Sequence, residues 1–281
     1  MPKLHQPEHD PLVAPRCAEP RICVGIGGWT YAPWRSNFYP DKLVQRRELE
    51  YASRHLSAIE VNGTYYGAQK AATYAKWRSE TPEGFVFSLK APRYTTDRKV
   101  LADAGKSIDA FVNGGLAELG DRLGPINWQF PPYRHFEHDD FAAFLALLPR
   151  ELAGRSLRHV VEVRHESFRC AEYIALARAH RVATVCTDSP KYPSLADITG
   201  DFAYARLMGS DAGIPTGYTP AALDRWAARA HAWANGGEPE DLAHVTEARE
   251  QPRQPRDVFI YFIGAAKERN PAAAMALLAR L

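Results

Sequence analysis

The sequence predicts an α/β protein that folds as a (β/α)8 barrel of the TIM type. From residue 22 to the end of the 281-residue chain, short apolar segments alternate with amphipathic ones. The short segments are rich in valine, isoleucine, phenylalanine and tyrosine, which is typical of buried parallel strands. Eight βα units in about 260 residues are the repeat of a closed barrel.

The order of elements follows from these patterns. Strands are predicted at 22–28, 58–65, 86–91, 126–130, 159–164, 183–187, 202–208 and 258–263. Helices are predicted at 43–55, 73–80, 108–119, 141–148, 172–180, 220–234 and 271–278. The connection 189–201 contains Pro190 and Pro193, so the sixth helix is expected to be absent or reduced to one turn. The stretch 236–257 is polar and rich in glycine and proline, and is expected to be an exposed excursion.

A doubly wound open sheet is the alternative fold. It would need a phosphate-binding glycine loop after the first strand. The sequence Gly25-Ile26-Gly27-Gly28-Trp29-Thr30 lacks the third glycine of the GxGxxG fingerprint, which favours the barrel. No Walker loop is present either, so no nucleotide cofactor is expected.

Composition places the chain among ordinary globular proteins. It is 46% hydrophobic and 24% charged with a net charge of +2, so no overall field favours nucleic acid or membrane as a partner. Residues 1–21 are rich in proline, histidine and charge and lack the apolar core of a secretion signal, so we expect a flexible tail before one barrel domain at 22–281. No apolar run is long enough to span a membrane, and we expect a cytoplasmic protein.

Polar residues accumulate where the predicted strands end. Alternate residues of a strand share a face, so Glu60 and Asn62 point together, as do Glu162 and Arg164. A charge that faces a sheet interior is costly unless it is paired or used. The polar residues at strand ends are Glu60, Asn62, Lys90, Gln129, Glu162, Arg164, His165, Asp188 and Arg206. Because barrel enzymes place their active sites at this edge, these residues predict a site.

Charge suggests a role for each group. Glu60 and Glu162 can divide into an acid and a base, as in a hydrolase, lyase or isomerase with paired carboxylates. His165 and Asp188 are further catalytic candidates. The residues predicted to contact substrate are Asn62, Tyr65, Lys90, Gln129, Arg164, Arg206 and Tyr218. The alternative is a buried network of ion pairs that merely fills the top of the barrel.

A divalent metal is a separate hypothesis. Glu60, Glu162, Asp188 and His165 have the ligand types of a magnesium or manganese site. A multi-zinc site would require several histidines at strand ends, and only His165 qualifies.

Several motifs resemble the family called domain of unknown function 72, or YecE-like. The matching stretches are Gly25-Ile-Gly-Gly-Trp-Thr-Tyr, Glu60-Val-Asn-Gly-Thr-Tyr-Tyr, Phe87-Ser-Leu-Lys90, Leu123-Gly-Pro-Ile-Asn-Trp-Gln-Phe-Pro-Pro132, Glu162-Val-Arg-His165, Thr187-Asp-Ser-Pro190 and Tyr204-Ala-Arg-Leu-Met-Gly209. The resemblance runs from about Cys23 to the C-terminus. It implies a (β/α)8-like barrel and does not imply a particular reaction.

The chain departs from that family pattern at two strand ends. Where the family usually has Arg-Leu-His-Gly, this chain has Met208 in place of the histidine. Where the family usually ends its eighth strand with Asn and Asp residues, this chain reads Ile263-Gly264-Ala265-Ala266. We therefore expect a specialised or catalytically weak member.

Three functions are compatible with these patterns. The first is an enzyme that acts on a small polar or anionic substrate by acid–base or hydrolytic chemistry. The second is a nucleic-acid-binding protein or phosphodiesterase that uses a basic rim around Lys90, Arg93, Arg98, Lys99 and Arg206. The third is a non-catalytic interaction protein on the same barrel, because fold does not imply function.

Overall fold

The computed structural model describes residues 20–247 and 254–281 and confirms the barrel. The strands of the barrel are β1 (Ile22–Gly27), β2 (Ala58–Val61), β3 (Val86–Lys90), β4 (Leu123–Gln129), β5 (His159–Glu162), β6 (Ala183–Thr187), β7 (Phe202–Leu207) and β8 (Asp257–Phe262). All eight pair in parallel and close in the order β1-β8-β7-β6-β5-β4-β3-β2. Most of the predicted tail, residues 1–19, lies outside the described residues.

Helices surround the barrel in the expected alternation. They are α1 (Glu48–His55), α2 (Ala71–Glu80), α3 (Arg93–Thr96), α4 (Gly105–Val112), α5 (His138–Ala146), α6 (Ala171–Ala179), α7 (Pro220–Ala234) and α8 (Asn270–Leu278). No helix forms between β6 and β7, a connection that is described throughout, so the prediction of a missing sixth helix is confirmed. Within the two described ranges, no helix has the length and apolar composition of a membrane span.

Two predicted elements end at least four residues early, each for a local reason. The helix predicted at 108–119 stops at Val112, because Gly115 has φ +122° and a side chain there would lie 2.7 Å from the Cα of Ala71. The strand predicted at 58–65 stops at Val61. The hydroxyl of Thr64 donates to the carbonyls of Val61 and Lys90, which turns the chain toward β3.

Residues 236–257 were predicted to form an exposed excursion, but the part of this segment that the structure describes is partly buried. Leu242 and Val245 pack against the core. The buried carboxylate of Asp197, in the β6–β7 connection, accepts hydrogen bonds from the amides of Val245 (2.8 Å) and Thr246 (3.0 Å) and from the Thr246 hydroxyl (2.7 Å). The excursion therefore packs against the connection that lacks a helix. Residues 248–253 lie outside the described part of the chain.

The barrel interior is apolar and aromatic below its C-terminal mouth. Phe202, Tyr204, Phe259 and Tyr261 pack there with smaller residues from the other strands. The Tyr204 and Tyr261 rings lie 5.2 Å apart between centroids. This floor closes the barrel from below, so the polar residues at the strand ends form a layer above it.

Candidate active site at the barrel mouth

Arg206 is the centre of the polar layer. Its side chain is 2% exposed. Its Nε and Nη2 donate to the two oxygens of Glu60 at 3.0 and 2.9 Å, while Nη1 donates to Glu162 Oε2. Tyr204, two residues earlier on β7, donates its hydroxyl to Glu60 Oε2 at 2.7 Å. One guanidinium therefore joins carboxylates from β2 and β5 across the barrel.

Arg164 and Gln129 also hold Glu162. Arg164 donates to Glu162 Oε1 from Nε at 2.8 Å and approaches it with Nη2 at 2.7 Å. Gln129 donates to Glu162 Oε2 at 2.6 Å. Burial opposes the ionisation of Glu162, but the charges of Arg206, Arg164 and Lys90 outweigh burial and hold its pKa at about 2. Glu162 is thus a fixed anion at neutral pH.

Lys90 is the cation of the layer with the fewest partners. Its Nζ donates to Gln129 Oε1 at 3.1 Å and lies 4.0 Å from the centroid of the Tyr65 ring. Lys90 is 7% exposed. Burial, and then the positive charge of Arg206, lower its pKa from 10.5 to about 8. An ammonium has three N–H donors, so this geometry leaves donor capacity for a ligand.

The charges of the layer do not cancel. Three cations, Lys90, Arg164 and Arg206, face two carboxylates, Glu60 and Glu162. Asn127 lies in the same layer. Its Nδ2 is 3.4 Å from both carboxylates, and its buried Oδ1 has no hydrogen-bond partner among the described residues.

Aromatic and apolar side chains form the rim of the mouth. Tyr192 lies under the guanidinium of Arg164, with 4.3 Å between Cζ and the ring centroid. Tyr65 is half-buried over Lys90, whereas its neighbour Tyr66 is 85% exposed. The side-chain amide of Asn62 lies against Gly27, so a Cβ on Gly27 would be 2.7 Å from Asn62 Nδ2. Gly27 therefore has no room for a side chain.

The structure places His165 apart from this layer. Its Nδ1 accepts the amide of Ser167 at 3.2 Å and lies 2.9 Å from the Ser167 hydroxyl, so it caps the short turn Glu166–Phe168. Its ring packs against that of His135, with centroids 3.8 Å apart and an angle of 38° between the ring planes. The contacts of His165 are those of a residue that organises a loop.

Asp188 and Tyr218 form a second pair outside the layer. The carboxylate of Asp188 accepts the amides of Met208 and Gly209 and, at 2.7 Å, the hydroxyl of Tyr218. Tyr218 is 6% exposed and packs against Phe262, so it is fixed in place. Burial raises the pKa of Asp188.

The ligands suggested for a divalent metal do not converge. Asp188 and His165 are engaged with the loops described above, while Glu60 and Glu162 bind arginines. Across residues 20–247 and 254–281, no group of three His, Cys, Asp or Glu side chains is arranged to hold a metal ion. The donor set of these four residues does not fit a shared ion.

The basic rim suggested for nucleic acid is dispersed. Lys90 and Arg206 are buried in the layer, while Arg93 and Lys99 are exposed on the loop after β3. Residues 93–99 carry three cations against one carboxylate, whereas 131–140 carry one arginine against three carboxylates. Arg134 donates to main-chain carbonyls in 93–99, so the two loops touch and their formal charges cancel.

Three members of the layer and rim were not predicted from the sequence. Asn127 and Tyr204 each lie two residues before a predicted site residue on the same strand, so alternation alone could have identified them. Tyr192 lies in an irregular connection, where no periodic signal points to the mouth.

Comparison with known proteins agrees with this architecture. A family model described as "Protein of unknown function DUF72" matches residues 23–281. A DUF72 family protein of Thermotoga maritima MSB8 superposes with a TM-score of 0.69 at 20% identity, covering 92% of this chain and 97% of the other. Another from Enterococcus faecalis V583 has a TM-score of 0.65 at 16% identity, covering 94% and 99%. At these identities, both structures bear on the fold alone.

A curated relative gives a shorter sequence match. UPF0759 protein YunF of Bacillus subtilis (strain 168) is 30% identical over 117 residues. The match spans 40% of this chain and 40% of that relative.

Proposed function

The chain belongs to the DUF72 family, and on that premise we propose that it is an enzyme that binds a small anionic substrate at the barrel mouth and moves a proton with Lys90. The observation that carries this proposal is the excess of positive charge in the polar layer, with Lys90 as its least committed cation. The C-terminal mouth is where barrel enzymes place their active sites.

Charge and hydrogen bonding support an anionic substrate. The guanidinium of Arg206 already donates to both Glu60 and Glu162, and Arg164 also donates to Glu162. Lys90 retains donors beyond its bond to Gln129. The uncommitted oxygen of Asn127 lies one strand away, in register with Lys90, where it can accept a hydrogen bond from a hydroxyl of the same substrate. Three cations against two carboxylates leave one positive charge, which a carboxylate or a singly charged phosphate at Lys90 would neutralise.

Proton affinity supports Lys90 as the group that exchanges a proton. Its pKa of about 8 lies near neutral pH, where a general acid or base is most effective. Glu162 is unsuited to that role because its pKa of about 2 keeps it ionised. In this proposal Glu60 and Glu162 position Arg206 and Arg164, and the reaction is a proton transfer beside an anionic group, as in a lyase or isomerase.

Calorimetric titration with named anions tests the binding step. The probes are inorganic phosphate, methyl phosphate, acetate and glycolate at pH 7 and low salt, with Lys90→Met as the variant and Lys99→Met as the control on the neighbouring loop. We expect Lys90→Met to weaken binding about tenfold or more, since a charge-assisted hydrogen bond contributes roughly 1.5–3 kcal/mol. Lys99→Met should bind like the wild type.

Two results would contradict the proposal. One is that none of the anions binds the wild type; the other is equal binding by Lys90→Met. A single-stranded oligonucleotide in the same titrations tests the nucleic-acid alternative, for which affinity would fall steeply with salt. For any anion that is turned over, kcat in Lys90→Met should fall about a hundredfold or more.

A further inference from the structure

Two apolar side chains lie next to each other at the mouth, at the ends of β7 and β8. The amide of Ile263 donates to the carbonyl of Leu207 at 2.8 Å, which sets Ile263 beside Met208. Arg206 and Tyr261 face the barrel interior, so alternation turns Met208 and Ile263 inward as well. Both are half-buried.

These two residues face the polar side of the mouth. In the strand order of the closed barrel, β7 lies opposite β3, which carries Lys90, and β8 lies opposite β4, which carries Gln129. Arg206 lies one layer below Met208 on the same strand. The mouth is therefore cationic on one side and apolar on the other.

Space remains beside the apolar pair. The chain continues from Ile263 into Gly264, which has φ +74°, and a Cβ placed there would meet nothing within 4 Å. On the other flank, Asn62 Nδ2 and Ile263 Cδ1 occupy the space beside Gly27, where a Cβ would lie 2.7 and 2.8 Å from them. The apolar side is thus lined by Met208 and Ile263, open at Gly264 and bordered by Asn62 beside Gly27. Methionine adapts its shape to varied apolar groups.

We propose that the substrate is amphipathic: its anionic group binds at Lys90 and Arg164, and an apolar group packs on Met208 and Ile263. This inference rests on the proposed anion site and adds the second half of the ligand. Burying one methylene group stabilises a complex by an amount that corresponds to about a fourfold gain in affinity. The structure therefore assigns Met208 and Ile263 as specificity-determining residues.

A series of alkyl phosphates measures this contribution directly. Methyl, ethyl, propyl and butyl phosphate are titrated calorimetrically into the wild type, Met208→Gln and Ile263→Thr. The matched control is Met275→Gln, which makes the same chemical change on α8. In the wild type and the control, Kd should fall about fourfold per added methylene, or roughly sixtyfold over the three methylenes from methyl to butyl. In Met208→Gln and Ile263→Thr, that gain should fall below about tenfold while the Kd for methyl phosphate stays unchanged.

The outcomes separate this inference from the proposed function. If alkyl phosphates bind but Kd does not depend on chain length, the apolar subsite is refuted and the anion site stands. An equal gain in both variants and in the control refutes it as well. If neither the phosphates nor the carboxylates above bind, the anion site itself fails, and the apolar subsite with it. Two variants are used so that one that does not fold leaves the other to decide.

Discussion

Lys90 is both charged and buried, two properties that oppose each other in a folded protein. Its ammonium is almost completely buried, and its contacts are one amide oxygen and one aromatic face. Burial of a charge without a carboxylate of its own costs free energy. A role in function explains a buried lysine of this kind better than a role in stability, because functional residues often lower the stability of the fold.

We predict that Lys90→Met stabilises the protein at pH 7 by about 1–3 kcal/mol, since a pKa lowered from 10.5 to about 8 measures the cost of the buried charge. The hydrogen bond to Gln129 and the contact with Tyr65 offset part of that gain. Urea unfolding of Lys90→Met and of the control Lys99→Met measures it.

The pH dependence of this effect has a defined sign. Between pH 8 and 10.5 the unfolded chain binds the Lys90 proton more tightly than the folded chain, so wild-type stability rises with pH across this window. The advantage of Lys90→Met should therefore be complete below pH 8 and shrink toward pH 10.5. A Lys90→Met protein that is less stable than the wild type at pH 7 would show that Lys90 has a structural role.

At the scale of elements, the β6–β7 connection departs most from the regular barrel. Pro190 and Pro193 prevent a helix there, and the wall of the barrel at this point is completed by another segment. Asp197 anchors that segment by accepting three hydrogen bonds from Val245 and Thr246. A long-range polar contact thus replaces the packing that a sixth helix would supply.

Asp197→Ala should lower the free energy of unfolding by about 2–4 kcal/mol, because it leaves the partly buried donors of Val245 and Thr246 without their charged acceptor. The same variant should become more sensitive to protease within 238–247. Asp201→Ala, at an exposed position in the same connection, serves as control and should change stability by less than about 0.5 kcal/mol. If the two variants were equally stable, Asp197 would not be the anchor.

At the scale of the whole molecule, two buried residues of β5, His159 and Glu162, make the free energy of unfolding depend on pH in the acid range. His159 Nδ1 accepts the indole N–H of Trp128 at 3.1 Å, and Nε2 lies 2.6 Å from the carbonyl of Pro149. Both bonds suit the neutral ring. Burial lowers the His159 pKa from 6.5 to about 4, although its bond to Pro149 acts in the opposite direction.

Wild-type stability should therefore fall as pH drops from 6.5 toward 4, by about 3 kcal/mol, since the unfolded chain takes up the His159 proton first. Below pH 4.5 a second loss should follow as the unfolded chain protonates Glu162, whose folded pKa is about 2. Urea unfolding at pH 7, 5.5 and 4 measures the first loss. His159→Gln should abolish most of it, while His138→Gln, an exposed change on α5, should leave it intact. If His159→Gln retained the wild-type pH dependence, another group would be responsible.

Local sequence patterns were enough to infer the number of strands, the closure of the barrel and the missing sixth helix. They also placed Glu60, Glu162 and Arg206 on the inner face of their strands. Alternation in a strand is a property of the backbone, and proline acts on its own neighbourhood, so neither depends on distant residues. The partner of each charge could not be inferred in this way. Arg206 binds both carboxylates, Lys90 lies against the Tyr65 ring, and His165 and Asp188 bind groups of neighbouring loops. These pairings depend on distances across the closed barrel, which decide the side chains that lie within hydrogen-bond distance of each carboxylate. Such distances are defined only once the eight strands have assembled.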